Sequence, residues 1–259
     1  MGILNLTPDS FYAGSRLNGI EEALRQAEKM LTEGATFLDI GGYSTRPNAP
    51  EVTEQQELQR VVPVIEAITK AFPEALLSID TFRATVAEAA VSAGALLVND
   101  VSGGTLDDAM FATVGKLGVP YILMHMRGTP QTMTSLTQYD NGLLEELVSY
   151  FAVRVAKLRE DGVKDIILDP GFGFAKTVEQ NYQLLRRLKE LQLLELPLLV
   201  GLSRKSMTYK PLHVGPEEAL TGTIAAHTLA LLNGADILRV HDVKEAVHTI
   251  EIVKKTITA

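Results

Sequence analysis

The sequence predicts an α/β protein, a (β/α)8 TIM barrel formed as a single domain over residues 1–259. Three observations carry that prediction. Helix-period segments end at Gly34, Gly94, Gly118, Gly162 and Gly234, and an apolar strand starts within four residues of each. Gly tolerates the left-handed conformation that closes a helix. The strands are continuous apolar runs rather than alternating ones, as expected where both faces of a sheet are covered. The count is eight strands and eight helices in 259 residues, the stoichiometry of this barrel. An open doubly wound sheet is the alternative, and it usually has fewer strands.

Strands are expected at Gly2–Asn5, Phe37–Gly41, Leu76–Asp80, Leu96–Asp100, Tyr121–His125, Ile166–Asp169, Leu198–Gly201 and Ile237–Val240. The chain is expected to begin inside the first strand, with nothing ahead of it to plug the barrel floor. Ile20, Ala23, Leu24, Ala27, Met30 and Leu31 fall on one face of a first helix. Leu58, Val61, Val62, Ile65 and Ile68 do the same in a second, behind a Thr53/Gln56 capping box. Further helices are expected near residues 82–93, 108–117, 143–160, 177–190, 217–233 and 243–256, and a Thr177/Gln180 box opens the sixth.

Composition narrows the class. Hydrophobic residues make up 46% of the chain, enough for a sizeable core, and no linker or low-complexity tract marks a domain boundary. No apolar run approaches the roughly 20 residues of a membrane span, and no secretion signal is visible, so the cytoplasm is the expected compartment. There are no cysteines, hence no disulfide or thiolate chemistry. A net charge of −8 argues against a nucleic-acid groove. The histidines show no H-x-H or H-E-x-x-H grouping, which disfavours a zinc hydrolase.

The strand ends are where a barrel keeps its chemistry. Here they present Asn5, Asp39, Asp80, Asn99 with Asp100, Met124 with His125 and Arg127, Asp169, Ser203 with Arg204 and Lys205, and Arg239 with His241 and Asp242. Unpaired carboxylates are expensive to bury, so these groups need a shared ligand or mutual pairing. Asp169 ends the run Ile166-Ile167-Leu168 and precedes Pro170-Gly171-Phe172-Gly173-Phe174. By itself it reads equally as a loop cap or a functional acid. Charge divides the mouth in this reading. Asp80, Asn99 and Asp169 suit an N–H-rich planar heterocycle, whereas Ser203, Arg204, Lys205, Arg239 and His241 suit an anionic, phosphorylated group. Salt bridges from Arg239 or His241 to Asp242 or to neighbouring loops are the structural alternative.

Eight stretches then match a family in order: Met1–Phe11, Gly42–Pro47, Ser78–Thr81, Val98–Gly103, Met124–Met126, Leu168–Phe174, Gly201–Ser206 and Arg239–Asp242. In these the chain resembles the bacterial dihydropteroate synthases of the pterin-binding barrel family. The resemblance implies condensation of 6-hydroxymethyl-7,8-dihydropterin diphosphate with p-aminobenzoate, a role for Mg2+, and a homodimer. It implies that Asp80, Asn99, Met124, Asp169, Phe174 and Lys205 bind pterin, and that Asn5, Arg46, Arg239 and His241 bind diphosphate, with Asn5 also at the metal. Phe11, Thr45, Arg46, Pro47 and Ser203 would shape the aminobenzoate pocket. Catalytic roles would fall to Asp80, Lys205, Arg239 and His241.

The chain departs from the family pattern at three places. Ala13 stands where the first loop usually carries an acid, Tyr43 where Glu is common and Asn48 where Gly is common. Two other readings stay open at this point. A methyltetrahydrofolate-dependent methyltransferase would keep the Asp and Asn clamp but has no need of Ser44-Thr45-Arg46-Pro47. A non-catalytic pterin-binding protein would fit the acid missing at Ala13, but not the retained Asn5, Arg46, Lys205, Arg239 and His241.

Overall fold

The structure, a computed structural model, describes residues 1–6, 16–43 and 51–258. Strands and helices alternate as β1 (Gly2–Asn5), α1 (Arg16–Thr32), β2 (Phe37–Gly41), α2 (Glu54–Ala71), β3 (Leu76–Asp80) and α3 (Ala84–Ala93). They continue as β4 (Leu97–Asp100), α4 (Met110–Leu117), β5 (Tyr121–Met124), α5 (Leu143–Glu160), β6 (Ile166–Asp169) and α6 (Val178–Arg187). The last units are β7 (Leu199–Val200), α7 (Ser206–Tyr209), α8 (Leu220–Leu232), β8 (Ile237–Leu238) and α9 (Val243–Thr258).

Every strand pair is parallel, in the order β1 to β6 and then β7 to β8. Parallel bridges Leu168 to Leu198 and Gly2 to Val240 join the two sheets at both seams. At the second seam Ile3 N–H donates to Val240 O and Val240 N–H donates to Met1 O, each at 2.9 Å. The sheet is therefore closed, and the (β/α)8 barrel expected from the sequence is the architecture observed. Both expected capping boxes form, at Thr53/Gln56 and Thr177/Gln180.

Three expectations are corrected at the ends of elements. β4 starts at Leu97 and β5 ends at Met124, while β7 and β8 are two-residue ladders. The predicted helix at 177–190 stops at Arg187 and runs on as a 3-10 turn over Leu188–Leu194. An additional helix, α7, follows β7, and two 3-10 turns bring the chain to α8. Pro211 and Pro216 explain the break: each lacks an N–H, so a single helix cannot run through them.

The barrel interior is layered. Leu97, Ile122 and Leu199 form a buried apolar plug with Met1, Phe37, Ile167 and Ile237. Side chains on one face of a strand repeat every second residue. Two residues beyond Phe37, Leu97, Ile122, Ile167, Leu199 and Ile237 stand Asp39, Asn99, Met124, Asp169, Gly201 and Arg239. The next layer up is thus polar, and it forms the floor of the barrel mouth.

Candidate active site

Arg239 crosses that floor. Its Nε donates to Asp39 Oδ2 and its Nη2 to Asp80 Oδ2, both at 2.6 Å. Asn99 Nδ2 donates to the same Asp39 oxygen at 2.9 Å. Asp39 has no exposed surface, and its Oδ1 has no hydrogen-bond partner. One guanidinium thus serves two carboxylates. Burial, with the Asp39 charge adding to it and Arg239 opposing, pushes Asp80 up to about 7. Burial acts to lower the pKa of Arg239, but Asp39 and Asp80 outweigh it and raise it. The expected division of the mouth into acidic and basic halves is therefore corrected: the two halves are paired at its centre. The reason is geometric, because barrel closure places β8 beside β1 and within an arginine's reach of β2 and β3.

Asp169 ends β6 at the edge of this network. Its Oδ1 accepts the Gly171 N–H at 2.8 Å, so the cap reading is correct for one oxygen. Burial raises its pKa, and the Lys205 charge opposes the rise. Gly171 has φ +69°, and a Cβ there would collide with the His125 carbonyl oxygen. Lys205 reaches back from the β7 loop to donate to Phe172 O. Its Nζ lies 4.8 Å from the Phe174 ring centroid, and burial lowers its pKa to about 8, with Asp169 opposing. Phe174 packs beside Met124, Val101 and Phe82 in a small apolar cluster. A charged edge and an apolar wall thus face one space.

The remaining strand ends sort into two groups. Asn5 Oδ1 and Asp80 Oδ2 both flank Gly41, near where a Cβ would stand. Ser203 Oγ and His241 Nδ1 lie 3.0 Å apart, and His241 N–H donates to the same hydroxyl at 3.2 Å. Two other residues are structural. Arg204 forks onto Asp242, through Nε at 3.0 Å and Nη2 at 2.6 Å, so the ion pair foreseen for Arg239 with Asp242 belongs to Arg204. Asp100 is consumed by Tyr121 OH, Ser102 N–H and Gly104 N–H. Phe11, Ala13, Thr45, Arg46, Pro47 and Asn48 lie outside the described residues.

The profile of the pterin binding enzyme family matches residues 1–241. The chain belongs to the pterin-binding enzyme family. It is 44% identical to dihydropteroate synthase of Escherichia coli (strain K12), an alignment spanning 100% of this chain and 92% of that one. It superposes with TM-score 0.93 on a Yersinia pestis dihydropteroate synthase in complex with a sulfonamide drug, at 46% identity over 100% of this chain and 94% of that one. A Clostridium difficile dihydropteroate synthase solved in the presence of pteroic acid gives TM-score 0.92 at 41% identity, covering 99% and 95%.

Two polar residues of this pterin-binding barrel were not assigned from sequence. Asp39 was visible as a strand-end carboxylate, and its place two residues above Phe37 in an apolar strand was the available signal. Lys176 carried none, because two of its partners are backbone carbonyls of its own turn and the third, His125, lies 51 residues away. It is 8% exposed, and burial lowers its pKa to about 7. Among the described residues no three His, Asp or Glu side chains gather as a metal cage. Asn5, half-framed by Asp80 across Gly41, is an oxygen donor of the kind Mg2+ accepts, since that ion takes few protein ligands and completes its shell with water and phosphate oxygens. Among the described residues no helix is long and apolar enough to cross a membrane.

Proposed function

We propose that the chain acts as a dihydropteroate synthase. It joins 6-hydroxymethyl-7,8-dihydropterin diphosphate to p-aminobenzoate and releases 7,8-dihydropteroate and diphosphate. The observation that carries this reading is the paired floor of the mouth, Asp39–Arg239–Asp80 with Asn99 and Asp169, facing Phe174 and Met124. A pterin is a flat heterocycle with an N–H-rich edge. Asp169 Oδ2 and Asn99 receive that edge, while Phe174 and Met124 cover its faces.

The substitution is dissociative in this proposal. The bond from the pterin methylene carbon to the diphosphate oxygen breaks first. Positive charge left on the methylene is shared with the electron-rich ring, and Asp80 stabilises it. The departing oxygens gather negative charge beside Arg239 and His241, where preorganised donors act most strongly. The aniline nitrogen then attacks the methylene and loses a proton. It needs no strong base, because a neutral aromatic amine is already nucleophilic. Asn5 would help hold a Mg2+ ion, which would supply further charge neutralisation on the leaving group. Ser203, beside His241, adjoins the diphosphate subsite.

A homodimer completes the proposal. Leu229 and Leu232 of α8 are each 50% exposed, and Ile250 and Ile257 of the adjoining α9 are 38% and 63% exposed. A second copy of the chain covers this face.

The test supplies pterin diphosphate, p-aminobenzoate and Mg2+, and assays dihydropteroate and diphosphate together. Stoichiometric formation of both is expected. Intact pterin binding without turnover would sink the reading and leave a non-catalytic binding protein.

A further inference from the structure

We propose that Lys176 is a positioning residue for the pterin half of the site. Its ammonium clips the turn after β6 onto the end of β5, and so fixes the Asp169 carboxylate and the Phe174 ring. This rests on the functional reading above and goes beyond it, to the device that holds the pterin wall in place.

The geometry is specific. Lys176 Nζ donates to Gly171 O at 3.0 Å and to Phe174 O at 3.1 Å, and lies 3.1 Å from His125 Nδ1. Three acceptors surround a group with three N–H bonds, so the ammonium form satisfies them all. His125 must then be neutral, with its proton on Nε2. Burial, followed by the charges of Lys176 and Arg127, holds its pKa well below the usual value. Asp169 supplies the nearby counter-charge that a buried lysine requires.

The turn needs such a clip because of its own backbone. Gly171, Gly173 and Ala175 have φ of +69°, +79° and +49°. Three positive-φ residues in five turn their carbonyls away from any helix or strand ladder. Buried carbonyls without partners are costly; within the turn Phe174 N–H donates to Gly171 O at 3.1 Å, and side chains supply the other donors. Lys176 takes those of Gly171 and Phe174, Lys205 takes that of Phe172, and Tyr139 OH donates to Ala175 O at 3.0 Å. Gly171 is the link to chemistry, since its N–H holds Asp169 Oδ1 while its carbonyl is held by Lys176. Lys205 is the lysine that faces Phe174 within the site, whereas Lys176 lies behind the turn.

The experiment compares wild-type chain with Lys176→Met, Lys176→Arg and His125→Ala. Calorimetry reads the affinity for 6-hydroxymethylpterin, which carries no diphosphate, and steady-state kinetics read KM for p-aminobenzoate. Lys176→Met is expected to weaken pterin binding by about tenfold or more, the worth of one charge-assisted contact. The aminobenzoate KM should change by less than about twofold, and Lys176→Arg should recover part of the lost affinity. His125→Ala removes one of the three acceptors and should show a smaller loss on the pterin side alone, which keeps the idea testable if Lys176→Met does not fold. Unchanged pterin affinity in Lys176→Met or in a folded His125→Ala, or equal losses on both substrates, would overturn the positioning role. A wild-type chain that binds no pterin would overturn this proposal together with the functional reading, whereas pterin binding without turnover would overturn only the latter.

Discussion

Asp39 is fully buried, and its carboxylate answers both Arg239 and Asn99. Its effect on Asp80 gives a pH prediction. Asp80 is raised from 3.8 to about 7 by burial, with Asp39 adding to the rise. A carboxylate whose folded pKa is raised binds more protons folded than unfolded across that window. Its stabilising contribution is therefore present at low pH and lost as pH rises through about 7. In the proposed mechanism it is the ionised Asp80 that stabilises the methylene cation, so kcat/KM should fall as pH drops through the same region. Asp39→Asn removes one negative charge beside Asp80 and should move that acid limb to lower pH. It should also cost stability on the order of 3 kcal/mol, since it discharges one partner of a buried ion pair. A pH–rate profile with an unmoved acid limb would show that the two carboxylates do not sense each other. How much of this was legible differs by residue. Asp80, Asn99, Asp169 and Arg239 stand at predicted strand ends, and short-range pattern sufficed to find them. That Arg239 spends two of its nitrogens on acids encoded 200 and 159 residues away was not legible, because no local pattern encodes a pairing across a closed sheet.

At the scale of elements, Tyr43 after β2 and Val52 before α2 are both held by the loop after β3. Arg83 donates to Val52 O at 2.7 Å, pairs with the buried Glu57, and lies 5.5 Å from the Tyr43 ring and 5.0 Å from the Phe82 ring. Tyr43 itself stands edge-on to Phe82 at 5.1 Å. Both ends of the segment between Tyr43 and Val52 thus converge on one guanidinium. The residues expected to shape the aminobenzoate pocket, Thr45, Arg46 and Pro47, fall within that segment. Arg83→Lys keeps a charge for Glu57 but loses the planar fork and its stacking. It should raise KM for p-aminobenzoate by about tenfold and leave pterin affinity unchanged, as steady-state kinetics and calorimetry would read. A matching loss in pterin affinity would mean that Arg83 supports the site as a whole. The capping boxes were readable because a cap is a contact between residues three apart. The break between α7 and α8 was signalled by Pro211 and Pro216, whereas the end of α6 at Arg187 had no such punctuation.

At the scale of the molecule, closure and assembly are the open chemistry of the outer surface. The apolar face on α8 and α9 leads to a direct test. Leu232→Glu with Ile257→Glu should convert the chain from dimer to monomer in sedimentation velocity while leaving the circular dichroism spectrum intact. A wild-type chain that already sediments as a monomer would remove the dimer from the proposal.

The sequence by itself determined the number of β/α units, the parallel order, the polar strand ends and the family, because each is written in short-range pattern or contiguous motif. The apolar plug beneath the site was not written there, because continuous apolar runs do not mark which side chains turn inward. Tertiary structure alone decided which charges meet. Closing the barrel brings β8 against β1 and lets Arg239 reach Asp39 and Asp80, while the pairing of β5 with β6 sets Lys176 against His125. Side-chain pairing in a buried floor depends on distances between residues far apart in the chain, and those exist only once the sheet has closed.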